Sequence, residues 1–147
     1  MSEHDEAIMT LLEELGEELE VQRVTLRLPS DESLFPVAYE WCAPGVASIR
    51  DTPRLDMSKQ PVVLKMQAGE SQVSEDDCAT ASDDPGYQEM RRMFGGLKAQ
   101  IVTANRDEDG AIIGLLSVHD LVAPRQWSDA ERRWARETAD ELLELTR

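Results

Sequence analysis

The chain is short of positive charge, and this scarcity excludes whole classes of partner. Fifteen Lys and Arg residues stand against thirty Asp and Glu residues, which gives a formal net charge of -15. Because such a field repels phosphate backbones and anionic lipid surfaces, autonomous binding to nucleic acid or to a membrane is not expected. The acidity is typical of a soluble protein, and a basic partner protein is the alternative interpretation.

Cysteine and histidine are too few for a structural zinc site. Cys42 and Cys78 lie far apart without a CxxC motif, and His4 and His119 are the only histidines. Four-ligand zinc needs more of these side chains at closer spacing, so no metal is expected. The sequence also lacks a nucleophile elbow, a phosphate-binding GxxxxGK loop and an HExxH motif. Its many carboxylates fall in predicted loops and on helix exteriors, where nothing identifies a catalytic acid and base.

Long apolar runs are missing as well. No stretch approaches the roughly 20 apolar residues of a membrane span, and the acidic start MSEHDEAIM does not resemble a signal peptide. We therefore expect a cytoplasmic protein. With 147 residues and 41% apolar side chains, the chain can form one compact domain over residues 1–147 without disulfides or metals.

Amphipathic helices are predicted at both ends of the chain. The first has a helical stripe of apolar residues: Ile8, Leu11, Leu12, Leu15 and Leu19. The last begins at Ser128, where Glu131 completes an S-x-x-E capping box. Its predicted apolar stripe is Trp134, Thr138, Leu142 and Leu145.

Alternating and β-rich runs between these helices predict a sheet. Strands are expected at residues 21–29, 35–43, 61–68, 98–105 and 111–119, the last two joined by a hairpin at Asp109-Gly110. A turn is expected at residues 30–33, and a short helical turn around residues 53–57. Residues 69–86 read as an exposed acidic loop, and a short helix over 87–94 ends at Gly95 and Gly96. The pattern predicts one α+β domain with a central antiparallel sheet.

This order of elements resembles that of the GAF domain family. The closing segment GAIIGLLSVHDLVAPRQWSDAERRWARETADELLEL is similar to the family's last strand, ending in Ser-x-His, and its serine-capped helix. The resemblance implies a sheet with the terminal helices on one face, and loops and the short helix on the other. It also implies a ligand-binding or regulatory sensor without naming the ligand, since the family includes cyclic-nucleotide, haem, bilin, amino-acid and purely structural members.

The loop-covered face of the sheet is the candidate ligand site. Strand alternation places Ile113, Leu115 and Ser117 on the side of His119, and Leu116 and Val118 on the helix side. The resemblance to bilin-binding members implies that His119 lines the cavity, with Lys98 and Gln100 beside acidic groups of a ligand. Aromatic and Met residues offer walls for this cavity: Tyr39, Trp41, Tyr87, Met90 and Phe94. The alternative readings are a hydrogen-bonded rim histidine, an exposed lysine and plain core packing.

The chain departs from the known binders at the positions that hold their cofactors. Pro85 and Gly86 stand where bilin-binding members carry a histidine, often preceded by an anchoring cysteine. Haem-binding members have a histidine close to the position of Tyr87. No cyclic-nucleotide signature is recognised in the chain. The resemblance therefore leaves the cofactor unknown.

The sequence is compatible with two other functions. One is the GAF-type reduction of free methionine sulfoxide, with Cys78 and Cys42 as nucleophilic and resolving thiols, although the acidic neighbours of Cys78 raise its expected pKa. The other is a dimerisation or partner-binding module in which Ile8, Leu11 and Leu143 face another subunit. A homodimer through the terminal helices is expected. In the sensor reading, a ligand contacts Lys98, Gln100, Ser117 and His119 while residues 69–86 close over it.

Overall fold

The structure, a computed structural model, describes residues 2–30, 35–50 and 57–146. The predicted turn at residues 30–33 and the predicted helical turn around residues 53–57 fall mainly on residues outside these ranges. None of the described helices is long and apolar enough to cross a membrane.

Helices and strands follow one another in mixed order along the chain. Helices are α1 (Glu3–Leu19), α2 (Pro61–Gln67), α3 (Cys78–Ala81), α4 (Pro85–Met93) and α5 (Asp129–Thr146), with a 3-10 turn at Met57–Lys59. Strands are β1 (Arg23–Arg27), β2 (Val37–Cys42), β3 (Gln72–Glu75), β4 (Ala99–Arg106) and β5 (Ile112–Asp120).

The strands form one five-stranded sheet in the order β2-β1-β5-β4-β3, and every neighbouring pair is antiparallel. Both layers that cover the sheet contribute a hydrophobic cluster, so β1, β5 and most of β4 are buried on both faces. This arrangement confirms the predicted α+β class with a central antiparallel sheet. The Asp109-Gly110 hairpin is confirmed too, with Gly110 at a φ of 86° in the turn.

The terminal helices α1 and α5 pack together on one face of the sheet. Leu12 and Leu15 of α1 meet Ala139 and Leu142 of α5 in the same buried cluster. The Ser128 capping box is confirmed, because Glu131 N donates to Ser128 Oγ at 3.1 Å and Ser128 N to Glu131 Oε1 at 2.9 Å.

The prediction that Trp134 belongs to the buried apolar stripe of α5 was wrong. Trp134 is 41% exposed, and the small side chains of Ala135 and Ala139 lie against the sheet instead. Small residues at these positions let α5 approach the sheet closely. Trp134 directly precedes Ala135, so its side chain points outward from the sheet.

The opposite face is covered by the 3-10 turn, α2 and α4. The predicted strand at residues 61–68 was wrong, because these residues form α2. Val62, Val63 and Met66 are buried while Leu64 is 50% exposed, which is helical rather than strand spacing. Pro61 occupies the first turn, where its missing N–H costs no helical hydrogen bond.

The segment 69–86 is more ordered than the predicted exposed loop. It contains β3, which pairs with β4 and buries Val73 and Glu75, and it contains α3, whose Cys78 is fully buried. The fifth strand of the sheet is therefore β3, whereas the sequence predicted it at residues 61–68. Polar composition concealed it because β3 is an edge strand of four residues.

A β-bulge changes one predicted side-chain direction. Asn105 pairs with Gly114 but Arg106 pairs with Ile112, so Ile113 is the extra residue. Ile112 packs in the cluster under α2 and α4, while Ile113 lies beside Leu143 of α5. The expectation that Ile113 shares the side of Leu115, Ser117 and His119 was therefore wrong. For Leu115, Ser117, Leu116 and Val118 the alternation is confirmed.

Candidate functional site

A row of polar side chains crosses the sheet on the face that α2 and α4 cover. Directly opposite residues of antiparallel strands point to the same face. The pairings align one such residue from each of the five strands, in the order Cys42, Arg23, His119, Gln100 and Glu75. All but Cys42 are buried.

Arg23 and His119 form the centre of this row. Arg23 Nη1 lies 3.2 Å from His119 Nδ1 and donates to Phe94 O at 2.9 Å, while Nη2 donates to Ala47 O at 3.1 Å. Because a guanidinium can only donate, Nδ1 accepts and the ring proton sits on Nε2. Burial, with the nearby positive charges of Arg23 and Arg27, holds the pKa of His119 well below 6.5. The imidazole is therefore neutral at physiological pH.

The other end of the row is a hydrogen-bonded carboxylate. Glu75 Oε1 accepts from Gln100 Nε2 at 2.6 Å and from the Tyr87 hydroxyl at 2.8 Å. Burial is the main cause that raises the pKa of Tyr87, so its hydroxyl stays protonated and donates. Through this contact α4 is tied to the edge strand β3.

Arg27 brings a second buried cation to the same face. Its Nη1 donates to Phe35 O at 2.7 Å, and its guanidinium carbon lies 5.6 Å from the centroid of the Phe94 ring. Burial lowers the pKa of Arg27 to about 10, partly offset by Glu40, so the group remains charged at neutral pH.

A small cavity lies between the polar row and the covering helices. Its free volume is about 20 Å³, and roughly 10–15 Å³ is the minimum for one water molecule. The sheet contributes Arg27, Gln100, Val102, Leu115, Ser117 and His119 to its lining, and the cover contributes Met57, Gln60, Val62, Val63, Tyr87, Met90 and Phe94. The cavity therefore has a polar floor and a mainly apolar roof.

Among the described residues, three buried polar atoms around this face have no hydrogen-bond partner: Thr25 Oγ1, Gln60 Oε1 and Arg23 Nε, which lies 4.0 Å from Glu40 Oε2 in an ion pair. Gln60 lines the cavity itself, and Thr25 pairs with the lining residue Ser117. An unsatisfied buried polar group costs about 1–3 kcal/mol, so native proteins keep few of them. Because these atoms are concentrated on the face that α2 and α4 cover, this face is the candidate site, and the face that α1 and α5 cover is not.

The structure brings six of the nine predicted ligand-site residues to this cavity: Gln100, Ser117, His119, Tyr87, Met90 and Phe94. It places the other three elsewhere. Lys98 is half-buried just before β4 and is not part of the lining.

The expectation that Tyr39 and Trp41 wall the cavity was wrong. They pair with Leu26 and Val24, so they point to the face that α1 and α5 cover. There the Tyr39 hydroxyl donates to Asp5 of α1 at 2.6 Å.

Sequence reasoning missed Arg23, Arg27, Gln60 and Glu75. The first two alternate with Val24 and Leu26, a pattern that is typical of a strand with one solvated face. Burial of both faces of β1 brings these arginines inside. Gln60 precedes a segment that was mistaken for a strand, so no sequence signal pointed to it.

The two cysteines cannot act as a thiol pair in this fold. Cys42 is on the edge strand β2. Cys78 follows the opposite edge strand β3, and its N–H donates to the carbonyl of Lys98, the residue before β4. Strands β1, β5 and β4 therefore lie between the two cysteines. At about 4.8 Å per strand this separation is roughly 19 Å, far beyond disulfide reach. Burial above all raises the pKa of the Cys78 thiol to about 12. The arrangement contradicts the cysteine-based reductase alternative.

Among the described residues, no group of three or more His, Cys, Asp or Glu side chains is placed to hold a metal ion.

Comparison with known proteins places the chain in a family. The family model of the GAF domain matches residues 3–143. Among curated proteins, none matches the chain significantly.

Solved structures show the same fold. The blue-light-absorbing form of the PixJ GAF domain of Thermosynechococcus elongatus is 24% identical, with a TM-score of 0.79 over 97% of this chain and 84% of that one. The photoproduct state of GAF3 from Slr1393 of Synechocystis is 18% identical, with a TM-score of 0.77 over 95% and 90%.

The chromophore-binding domain of the bacteriophytochrome RpBphP3 from R. palustris is 15% identical, with a TM-score of 0.74 over 92% of this chain and 52% of that one. At sequence identities this low, the structural similarity establishes the fold and does not identify a ligand. With a family match over nearly the whole sequence and the same sheet and helix arrangement in these structures, the chain belongs to the GAF domain family.

Proposed function

We propose that this GAF domain is a non-catalytic sensor module that binds a small molecule between the sheet and the covering helices α2 and α4. One observation carries the proposal: buried polar groups, some without partners, surround a cavity on this face. A plain hydrophobic core gains nothing from such groups, whereas a binding site needs a few polar atoms in an apolar setting.

The proposed response is a movement of the cover. A free volume of about 20 Å³ holds one water molecule at most, so a metabolite must displace the 3-10 turn, α2 or α4 to enter. A ligand shifts such an equilibrium only by its different affinity for the closed and open states. The segment 69–86, expected from the sequence to close over the ligand, contributes a paired strand, so the moving part in this proposal is residues 57–67.

The relatives support a ligand on this fold without identifying it. The PixJ GAF domain has a blue-light-absorbing form, and the RpBphP3 domain binds a chromophore. In this chain Pro85 and Gly86 form the start of α4, where the resemblance to bilin-binding members places a histidine. We therefore propose a small-molecule sensor and assign no bilin to it.

The sensor is further proposed to work as a homodimer through α1 and α5. Trp134 supports this, since its large side chain is 41% exposed on α5. Leu11 and Leu143 are half-buried on the two helices, whereas Ile8 is fully buried in the core and is withdrawn from the interface.

Thermal shift measurements with a metabolite library test the binding proposal. A ligand at about 100 times its dissociation constant stabilises the folded state by roughly 2.7 kcal/mol. Leu115→Phe fills the cavity, so it should abolish the ligand-induced rise in Tm. Leu116→Phe is the matched control, because Leu116 is equally buried but faces the terminal helices. Equal loss of the response in both variants, or a full response in Leu115→Phe, contradicts binding in this cavity.

A further inference from the structure

The charges at the cavity indicate which ligands it takes. Arg27 lines the wall and is only 8% exposed, and it keeps its positive charge. Among the described lining residues there is no carboxylate. Two acids near the cavity among the described residues are engaged elsewhere: Glu75 accepts from Tyr87 and Gln100, and Glu40 accepts from Ile49 N at 2.9 Å.

Gln60 adds a requirement of a different kind. Its side chain is 8% exposed, lines the cavity, and leaves Oε1 without a partner. A carbonyl oxygen accepts and cannot donate, so its missing partner is a hydrogen-bond donor. A ligand that serves both residues carries an anion for Arg27 and a donor for Gln60.

The rest of the lining limits the body of the ligand and the nature of the donor. Met57, Val62, Val63 and Met90 of the cover are apolar, which suits a hydrocarbon body. An ammonium donor would be buried near two arginines, and no described lining residue offers it a carboxylate, so its burial is costly. A neutral hydroxyl avoids that cost.

Resting on the proposed function, we infer that the cavity binds a hydroxyl-bearing organic acid with an apolar body. Arg27 binds the carboxylate, and Gln60 Oε1 accepts a hydrogen bond from the hydroxyl. The neutral His119 ring, with its proton on Nε2, adds a donor to the same wall.

A panel of matched compounds tests this inference. Hydroxy acids of increasing chain length are compared with the acids that lack the hydroxyl, with the hydroxy amides that lack the charge, and with the corresponding amino acids. Affinity, measured by calorimetry, should be highest for a hydroxy acid. A hydrogen bond to a charged group contributes about 1.5–3 kcal/mol, so its amide should bind about tenfold to a hundredfold more weakly.

Two variants assign the preference to residues. Arg27→Met should remove the preference for acid over amide. Arg92→Met is the matched control, because it removes the same charge from an exposed position on α4. Gln60→Met should make hydroxy acid and deoxy acid bind alike. It should also raise the Tm of the free protein by about 3 °C, because it removes an unsatisfied buried acceptor. If Arg27→Met fails to fold, Gln60→Met still decides.

The outcomes separate this inference from the function on which it rests. Neutral or cationic metabolites that bind in the cavity while every acid fails overturn the ligand class and leave the sensor standing. Acids that bind Arg27→Met and Gln60→Met as tightly as the unaltered chain also overturn it. No binding by the acid panel or by a broad metabolite library contradicts both.

Discussion

At the scale of single residues, burial and then the contact with Arg23 keep the imidazole of His119 neutral. The guanidinium occupies Nδ1 as a donor, and the neighbouring Arg27 adds a second positive charge. A proton on Nδ1 would face Arg23 at a distance of 3.2 Å. The folded protein therefore excludes the imidazolium that the unfolded chain readily forms.

This exclusion predicts a pH dependence of stability. The folded pKa of His119 lies well below 6.5, so the contribution is fully present above pH 6.5. As the pH falls below that value, the unfolded state binds a proton that the folded state refuses, and stability declines by up to about 1.4 kcal/mol per pH unit. Urea unfolding between about pH 7 and pH 5.5 measures the slope.

His119→Gln is the control for this slope, because glutamine offers Arg23 an acceptor and does not titrate. The free energy of unfolding of the variant should depend less on pH over the same range. If the unaltered protein and His119→Gln have equal slopes, His119 is not held neutral by the fold.

The arginines show why residue-level prediction reached only part of the site. Alternation along the strands correctly placed His119, Ser117 and Leu115 on one face, because side-chain direction is a local property of a strand. Whether a polar face meets water depends on what packs over it. The sequence pattern therefore does not predict the burial of Arg23 and Arg27, because this burial depends on the packing of α2 and α4.

At the scale of elements, α1 and β2 meet through a glycine. Gly16 lies in the last turn of α1, and the ring of Trp41 lies directly against it. A Cβ built on Gly16 would be 2.2 Å from Trp41 Cζ3, which is far too close. The helix thus tolerates a poor helix former because a side chain would push β2 away.

Gly16→Ala is expected to destabilise the protein. Alanine gains about 1 kcal/mol of helix propensity over glycine, but overpacking a well-filled core costs about 1–3 kcal/mol. Since the clash is severe, the net free energy of unfolding should fall by about 1 kcal/mol, as measured by urea denaturation.

The same alanine in a Trp41→Leu background serves as the control. With the ring removed, only the propensity gain remains, and the second substitution should be neutral or stabilising. A stabilising Gly16→Ala in the presence of Trp41 would show that the ring does not restrict this helix position.

Element prediction failed where tertiary packing overrides local preference. The run PVVLKMQA, with two adjacent β-branched valines, predicts a strand from the sequence, yet its apolar positions cover the sheet as a helix. Tyr39 and Trp41 were assigned to the wrong face because the register of β2 against β1 is not a local property. The terminal helices and the hairpin, by contrast, carry complete local signals in their caps and turns.

At the scale of the whole molecule, charge opposes the proposed dimer. Two copies of a chain with a net charge of -15 repel each other at low ionic strength. The Debye length falls from about 30 Å at 0.01 M salt to about 8 Å at 0.15 M, so salt removes most of this repulsion. An interface built around Trp134 should thus strengthen with salt.

Sedimentation velocity over a series of NaCl concentrations measures this effect. The dimer fraction should rise with salt, and Trp134→Glu should remain monomeric throughout. Val122→Glu is a suitable control, since it adds the same charge at another exposed apolar position, 71% exposed and outside the helices. A monomer at every salt concentration, or equal loss of dimer in both variants, contradicts the interface.

A ligand bound between the sheet and α2–α4 should be visible in the imidazole NMR signals. The chain has two histidines: His119 in the cavity wall and His4 in the exposed first turn of α1. Any compound shown by calorimetry to bind should shift the ring ¹⁵N and ¹H resonances of His119 and leave those of His4 unchanged. Saturated binding without a change at His119 would contradict a ligand site in this cavity.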